Sequence, residues 1–275
     1  MCGSKLILDL GSHSAKVYAQ AEMKVEQVDV LTWELLENEI DFSKLEEQLS
    51  GLLAKHVDFR EASGQGRVQA IGTEAMRRSP ELSEAVSGIC GRLGIDYRTI
   101  SQREEAELLR QALAASGIPS DLDVINVGGG SIQIWLRSGR SPHLLPFGIS
   151  DLNQRFALLE APAGRKVREC IKWVAEQLPR SLNQFAYTGG EYTYLRHFSI
   201  QMEGGYCKKQ NFAKLSEAIA AADLEELEAS SPYDSKWMRG AVASNCIVLA
   251  CLETSGAGSF MPTDLNIAHG FLQQL

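Results

Sequence analysis

The first apolar run of the chain, Leu6-Ile-Leu-Asp-Leu, breaks at Gly11 and resumes after Ser14 as Ala-Lys-Val-Tyr-Ala. A second segment repeats the pattern: Asp123-Val-Ile-Asn-Val, then Gly128-Gly-Gly-Ser, then Ile132-Gln-Ile-Trp-Leu. Asp9 aligns with Asn126, Gly11 with Gly128 and Ser14 with Ser131, while Val17 and Tyr18 align with Ile134 and Trp135. An apolar run, a glycine turn and a second run rich in β-branched and aromatic residues predict two strands joined by a tight hairpin. Such self-similarity is the most informative feature of the chain.

Each copy continues in the same way. The first predicts a third strand over Val25–Leu35, a helix near Ser43–Ala62 and a strand at Val68–Gly72. The second predicts a strand at His143–Gly148, a helical region from Asp151 to about Leu182, and a strand at Phe185–Thr188. The order β-β-β-α-β-α thus occurs twice. That is an α/β class chain of two duplicated domains, with a cleft between them. The turn-rich stretch Ser116–Asp121 serves as the linker, which gives domains 1–121 and 122–275. Helices near Ala213–Ala229 and Lys236–Thr254 complete the second domain. The terminal helix, about 264–275, is placed back against the first. The acidic run Asp223–Glu228 reads as a solvated helix face.

Bulk properties narrow the function. A chain of 275 residues suits two domains, and 44% hydrophobic with 23% charged residues is ordinary globular composition. No segment approaches the run of about 18 apolar residues that a membrane span needs. The six cysteines are scattered without a C-x-x-C pair, and Cys246 and Cys251 lie in an apolar helical run that reads as core. A reduced, cytoplasmic protein is expected. The net charge of −8 and the lack of a basic patch argue against nucleic acid. A polyanion can still be held locally by backbone N–H groups, a few cations and metal. The five histidines are dispersed, none at zinc-site spacing.

The turns suit phosphate. Gly128-Gly129-Gly130-Ser131 can aim several backbone N–H groups at one point, with Gly11-Ser12-His13-Ser14 as its counterpart across the cleft. Thr188-Gly189-Gly190 follows a strand and opens a helix, adding a third anion-compatible turn. A single such turn is more often only a turn; three in a duplicated chain are more specific. Asp9 ends a buried strand. Its carboxylate either accepts from turn N–H groups or ligates Mg²⁺ beside phosphates, and the repeat favours the metal. Glu104 and Glu105 open a helix after the strand Tyr97–Ile100. Acids there commonly offset the helix dipole, but this helix runs into the linker, so its start can face the cleft.

The segments Ile7-Leu-Asp-Leu-Gly-Ser-His-Ser, Ile71-Gly-Thr-Glu-Ala-Met-Arg, Ile100-Ser-Gln-Arg-Glu-Glu-Ala-Glu-Leu-Leu and Val124-Ile-Asn-Val-Gly-Gly-Gly-Ser resemble, in that order, the exopolyphosphatase / guanosine-pentaphosphate phosphatase (Ppx/GppA) family. Leu145-Pro-Phe-Gly-Ile-Ser-Asp-Leu, Tyr187-Thr-Gly-Gly and Leu265-Asn-Ile-Ala-His-Gly-Phe-Leu match more weakly. The resemblance spans essentially the whole chain, in the family's short form. It implies the actin-like (sugar kinase, Hsp70, actin; ribonuclease H-like) architecture. It also implies hydrolysis of terminal phosphoanhydride bonds of polyphosphate or guanosine pentaphosphate with Mg²⁺. The family's water-activating carboxylate falls on Glu105, its arginine, a phosphate clamp, on Arg77, and its metal positions on Asp9 and Asn126. The expected partners are therefore polyphosphate or guanosine pentaphosphate, with a second copy of the chain as a further candidate, and neither nucleic acid nor membrane.

The chain also departs from the pattern. Asn126 stands where the family usually has Asp, His13 where it has Asn, Pro80-Glu81 near a usual Asn, and Asp151 at a usually basic position. Two other functions therefore stay open: a catalytically weakened relative that binds phosphate-rich ligands in a regulatory role, and a small-molecule kinase of the same superfamily.

Overall fold

The computed structural model describes residues 5–21, 24–33, 35, 40–56, 68–160 and 164–273. Strand β1 (Lys5–Leu10) turns at Gly11 into β2 (Ser14–Ala21), which pairs with it antiparallel and puts Lys16 opposite Asp9. Strand β3 (Lys24–Thr32) adds antiparallel to β2, with a bulge at Val17/Tyr18. Strands β4 (Val68–Gly72) and β5 (Ile95–Thr99) then run parallel on the other side of β1. The sheet order is β3-β2-β1-β4-β5.

The second half repeats this arrangement. Strands β6 (Asp123–Val127), β7 (Ile132–Trp135) and β8 (His143–Leu145) form the antiparallel meander. Strand β9 (Phe185–Thr188) lies parallel to β6. A short hairpin of β10 (Met202–Glu203) and β11 (Tyr206–Lys208), absent from the sequence reading, widens the sheet beyond β12 (Ser259–Thr263). The order β8-β7-β6-β9-β12 has the same sequence of antiparallel and parallel pairs as the first sheet. Both central strands, β1 and β6, are apolar runs because helices cover both faces of a parallel centre. Two such units make the actin-like fold.

The helices depart from the expected bounds where one residue breaks the period. Helix α1 (Phe42–Ala54), capped by Asp41, ends well before Ala62; residues 57–62 of that expected helix lie outside the described residues. Helices α2 (Glu74–Arg78) and α3 (Pro80–Arg92) meet at Ser79, which is extended and caps α3. Helix α4 (Gln102–Ser116) stops at a left-handed Gly117, just before β6. The expected Asp151–Leu182 region is two helices, α5 (Ile149–Phe156) and α6 (Gly164–Gln177), because Ala157 turns left-handed (φ 47°). Helix α7 (Glu191–His197) follows β9. The expected Ala213–Ala229 helix is α8 (Lys209–Ala221) and α9 (Leu224–Ala229), with Asp223 capping the second. A 3-10 turn, Ser235–Gly240, leads into α10 (Ala241–Ser255), where Cys246 and Cys251 are core residues as read.

Two helices tie the halves together. Helix α4 belongs to the first sheet, yet Gln102 Nε2 donates to Ile132 O (3.2 Å) and Leu145 O (3.1 Å), and Trp135 Nε1 donates to Ala106 O (2.9 Å). The start of α4 therefore faces the second half. The last helix, α11 (Ile267–Gln273), returns to the first: Ile267, Ala268, Phe271 and Leu272 pack with Ile7, Tyr18, Ile71, Ile100 and Leu108. Among the described residues, no helix is long and apolar enough to cross a membrane.

Candidate active site

The two glycine hairpins close with the same hydrogen bond: Gly11 N to Ser14 O at 3.0 Å, and Gly128 N to Ser131 O at 2.9 Å. They meet face to face. A Cβ on Gly129 would lie 2.6 Å from His13 N, so only glycine permits this approach. The second turn is tied down from behind, Ile149 N donating to Gly128 O (3.1 Å) and Ser150 N to Gly129 O (2.7 Å). The third turn needs glycine for its backbone, with φ 143° at Gly189 and 122° at Gly190.

A cavity of about 80 Å³ lies beside these turns, lined by Asp9, Lys16, Asn126, Gly128, Gly189, Gly190, Trp237 and the tail segment Thr263–Ile267. It is roomy enough to admit a small anion such as a phosphoryl group. It shares Gln27, Tyr192, Thr193 and Asp264 with a wider basin of about 620 Å³. The structure thus brings Asp9, Asn126, Gly128, Gly189 and Gly190 together. It does not bring the rest of the expected site to the cavity wall: Glu105 and Arg77 lie outside its lining. Ser12, His13, Ser14 and Ser131 are buried, and neither Gly11 nor Gly129 and Gly130 line the cavity. The two hairpin turns lie against each other here, which corrects the expectation that all of them line one open cleft.

Asp9 is buried at the end of β1. Burial pushes its carboxyl up from the ordinary value, and Lys16 pulls the other way. Lys16 was missed in the sequence, although the hairpin alone places it directly across from Asp9. Asn126 departs from the expected ligand geometry: its Oδ1 already accepts from Thr188 Oγ1 (2.6 Å), and its Nδ2 donates to Gln133 Oε1 (2.5 Å). The oxygens around this cavity, Asp9 and Asp264 carboxylates and the Asn126 amide, are hard donors of the kind Mg²⁺ takes alongside substrate phosphates. They fit that ion with Asp9 as the anchoring ligand. Among the described residues, no group of three or more His, Cys, Asp or Glu side chains is clustered to hold a metal without such help.

Glu104 and Glu105 part company at the start of α4. Glu104 completes a capping box: Ser101 N donates to Glu104 Oε2 (2.7 Å), and Glu104 N donates to Ser101 Oγ (3.2 Å). Glu105 turns inward and is 5% exposed. Burial raises its carboxyl from 4.5 to about 8; Arg77 pulls it down, while Asp9 and Glu74 add to the rise. Glu105 Oε2 lies 2.5 Å from Arg77 Nη2, an ion pair.

Arg77 departs from its expected role. In this conformation it serves protein acceptors rather than an open phosphate position: Nε and Nη2 bind Glu74 Oε2 (3.0 and 2.5 Å), and Nη1 binds Ile100 O (2.7 Å). The carboxylate that holds it, Glu74, was visible as an i,i+3 partner on one helix turn.

The fold and cleft define a two-domain actin-like protein with phosphate-compatible turns between its halves. The chain belongs to the Ppx/GppA phosphatase family, whose sequence profile matches residues 44–235, well over half its length. An exopolyphosphatase structure from Cytophaga hutchinsonii aligns over 98% of this chain and 97% of its own, with TM-score 0.80 at 16% identity. A Ppx/GppA member from Aquifex aeolicus aligns over 99% and 97%, with TM-score 0.71 at 19% identity. At these identities the likenesses bear on the fold. No curated protein matches the chain in sequence.

Proposed function

We propose that this protein hydrolyses terminal phosphoanhydride bonds of polyphosphate or guanosine pentaphosphate in the cytoplasm, with Glu105 as the group that orients and deprotonates water. The observation that carries this reading is Glu105 itself: a buried carboxyl at about 8, paired to an arginine, at a helix start that faces the second half. A general base works best with a pKa near the operating pH.

Substrate supplies its end, and the chain supplies positions. The small cavity suits one terminal phosphoryl group, and the wider basin suits the remainder of an elongated anion. Backbone N–H groups of the Gly189–Gly190 turn and Lys16 hold its oxygens. Arg77 stays beside Glu105 and holds down the proton affinity of that carboxyl, which leaves part of it ionised and able to accept a proton from water. As the water oxygen bonds to phosphorus, Glu105 takes its proton. The anhydride P–O bond breaks, and the departing chain keeps the electron pair. Phosphoryl transfer needs little more than such positioning and charge neutralisation. Mg²⁺, held at Asp9 with the Asn126 oxygen nearby, would supply part of that neutralisation.

The engaged Asn126 oxygen favours a second reading, a regulatory relative that binds the same ligands and turns over poorly. The deciding experiment measures phosphate release from polyphosphate and from guanosine pentaphosphate under Mg²⁺, with and without an acceptor alcohol, beside ligand affinity by calorimetry. Release without an acceptor supports the hydrolase. Tight binding with no release supports the regulatory reading, and release that requires the acceptor would make it a kinase.

A further inference from the structure

Arg78, next to the family arginine, points the other way. Its Nη1 and Nη2 grip Asp151 Oδ1 (2.7 Å) and Oδ2 (3.1 Å) in the second half, and Nη2 also donates to Gly130 O (2.6 Å) and Pro146 O (2.9 Å). Gly130 belongs to the second glycine turn. Asp151 in turn accepts from Gly148 N (2.9 Å), at the start of the helix whose first residues hold that turn from behind. On its own side, Arg78 Nε binds Glu74 Oε1 (3.0 Å), and the other oxygen of Glu74 binds Arg77. A chain of alternating charges therefore runs Asp151–Arg78–Glu74–Arg77–Glu105. Both members of the pair that crosses the cleft are 29% exposed, partly shielded from water. The planar guanidinium fork is what lets one side chain meet a carboxylate and two carbonyls together.

The second half reciprocates. Asp234 Oδ2 accepts from Thr32 N (2.7 Å) and Thr32 Oγ1 (2.8 Å) at the end of β3. The next residue, Trp33, holds the first glycine turn by donating to His13 O (3.0 Å) and Gly11 O (2.9 Å). Each half thus braces the other's turn.

We propose that Arg78 is a positioning residue: with Asp151 it fixes the Gly128–Ser131 turn from across the cleft and, through Glu74 and Arg77, keeps that turn in register with Glu105. The part concerning Glu105 rests on the hydrolase reading above; the brace itself does not. It also gives Asp151, an acid where the family usually has a base, a role on this chain.

Hydrogen exchange on the full chain tests it. In Arg78→Ala, the amides of Gly128, Ile149 and Ser150 should exchange ~10-fold faster, while those of α10 keep their protection. The double variant R78A/D151N should exchange no faster at these sites than R78A alone, because the partners act as one unit. Arg78→Lys should fall between wild type and R78A, since it keeps the charge and loses the fork. With phosphate release as the second readout, R78A should lower kcat more than it raises KM. Unchanged exchange at the three amides overturns the proposal. So does faster exchange spread evenly over the chain, or additive effects in the double variant. Should R78A fail to fold, Asp151→Asn carries the same test, because Asn can still accept from Gly148 N. If wild-type protein releases no phosphate, the hydrolase reading fails while the exchange result still decides the brace.

Discussion

Glu105 and Glu191 occupy matching places: each is a buried glutamate in the first turns of a helix, one in each half, and burial raises each to about 8. Their surroundings differ. Glu191 meets neutral groups, the Ser244 hydroxyl and the Asn245 amide, whose nitrogen donates to Glu191 Oε1 at 3.3 Å once the amide is turned to the orientation that satisfies both its atoms. Glu105 meets Arg77 and stands in the field of Asp9 and Glu74. The comparison separates two effects. Burial sets the height of the pKa, and charged neighbours decide whether the group can be switched. A carboxyl with neutral partners answers to pH alone, whereas one beside an arginine also answers to the field of that charge.

Substitution should break the comparison most sharply. Glu105→Gln should cut turnover by ~10²–10⁴-fold while ligand affinity holds or tightens slightly. Glu191→Gln should leave turnover within a few-fold of wild type, on the order of what non-catalytic changes show. Steady-state phosphate release and calorimetry on both variants check this; equal, small losses would demote Glu105 to a buried structural acid.

The pH profile should separate them next. Glu105 serves as a base only when deprotonated, so kcat/KM should climb with pH toward about 8, and this limb should vanish in Glu105→Gln. Stability has the opposite slope. A carboxyl raised from 4.5 to about 8 on folding favours the fold fully below 4.5, and that contribution is lost as pH rises toward 8. Glu191→Gln should flatten this decline, by an amount on the order of a few kcal/mol in denaturant titrations at pH 5 and pH 8.

Smaller effects sharpen the picture. Asn126→Asp restores a carboxylate near Asp9 and should lower the half-saturating Mg²⁺ concentration; no change would place Asn126 off the metal. Glu104→Gln, which weakens the capping box and the exposed pair with Arg98 (3.2 Å), should cost ~0.3–1 kcal/mol in thermal melts and little activity.

The legibility of the sequence follows the same division between local and distant causes. The hairpins and the three glycine turns were readable, because a turn is dictated by residues a few positions apart; the capping box of Ser101 and Glu104 is equally local, yet Glu104 was read only as an offset to the helix dipole. The break at Ala157 was not readable, since the left-handed residue there is neither Gly nor Asn. The commitment of Arg77 to Glu74 and the turn-to-turn packing of His13 against Gly129 were not read either. The first lay within reach of helix spacing; the second depends on how the halves close. Arg78 and Asp151 are 73 residues apart, so only the assembled topology joins them.

Helix α11 carries a consequence for biosynthesis. Its apolar face fills the gap left among Ile7, Tyr18, Ile71, Ile100 and Leu108, yet it is translated only after the entire second sheet. As the chain leaves the ribosome, the earlier half emerges with that hydrophobic patch uncovered, and it stays so while more than a hundred further residues are added. Domains usually mature in order of synthesis, N-terminal first. Here the first to emerge must wait for the last helix before the second of its apolar faces is closed.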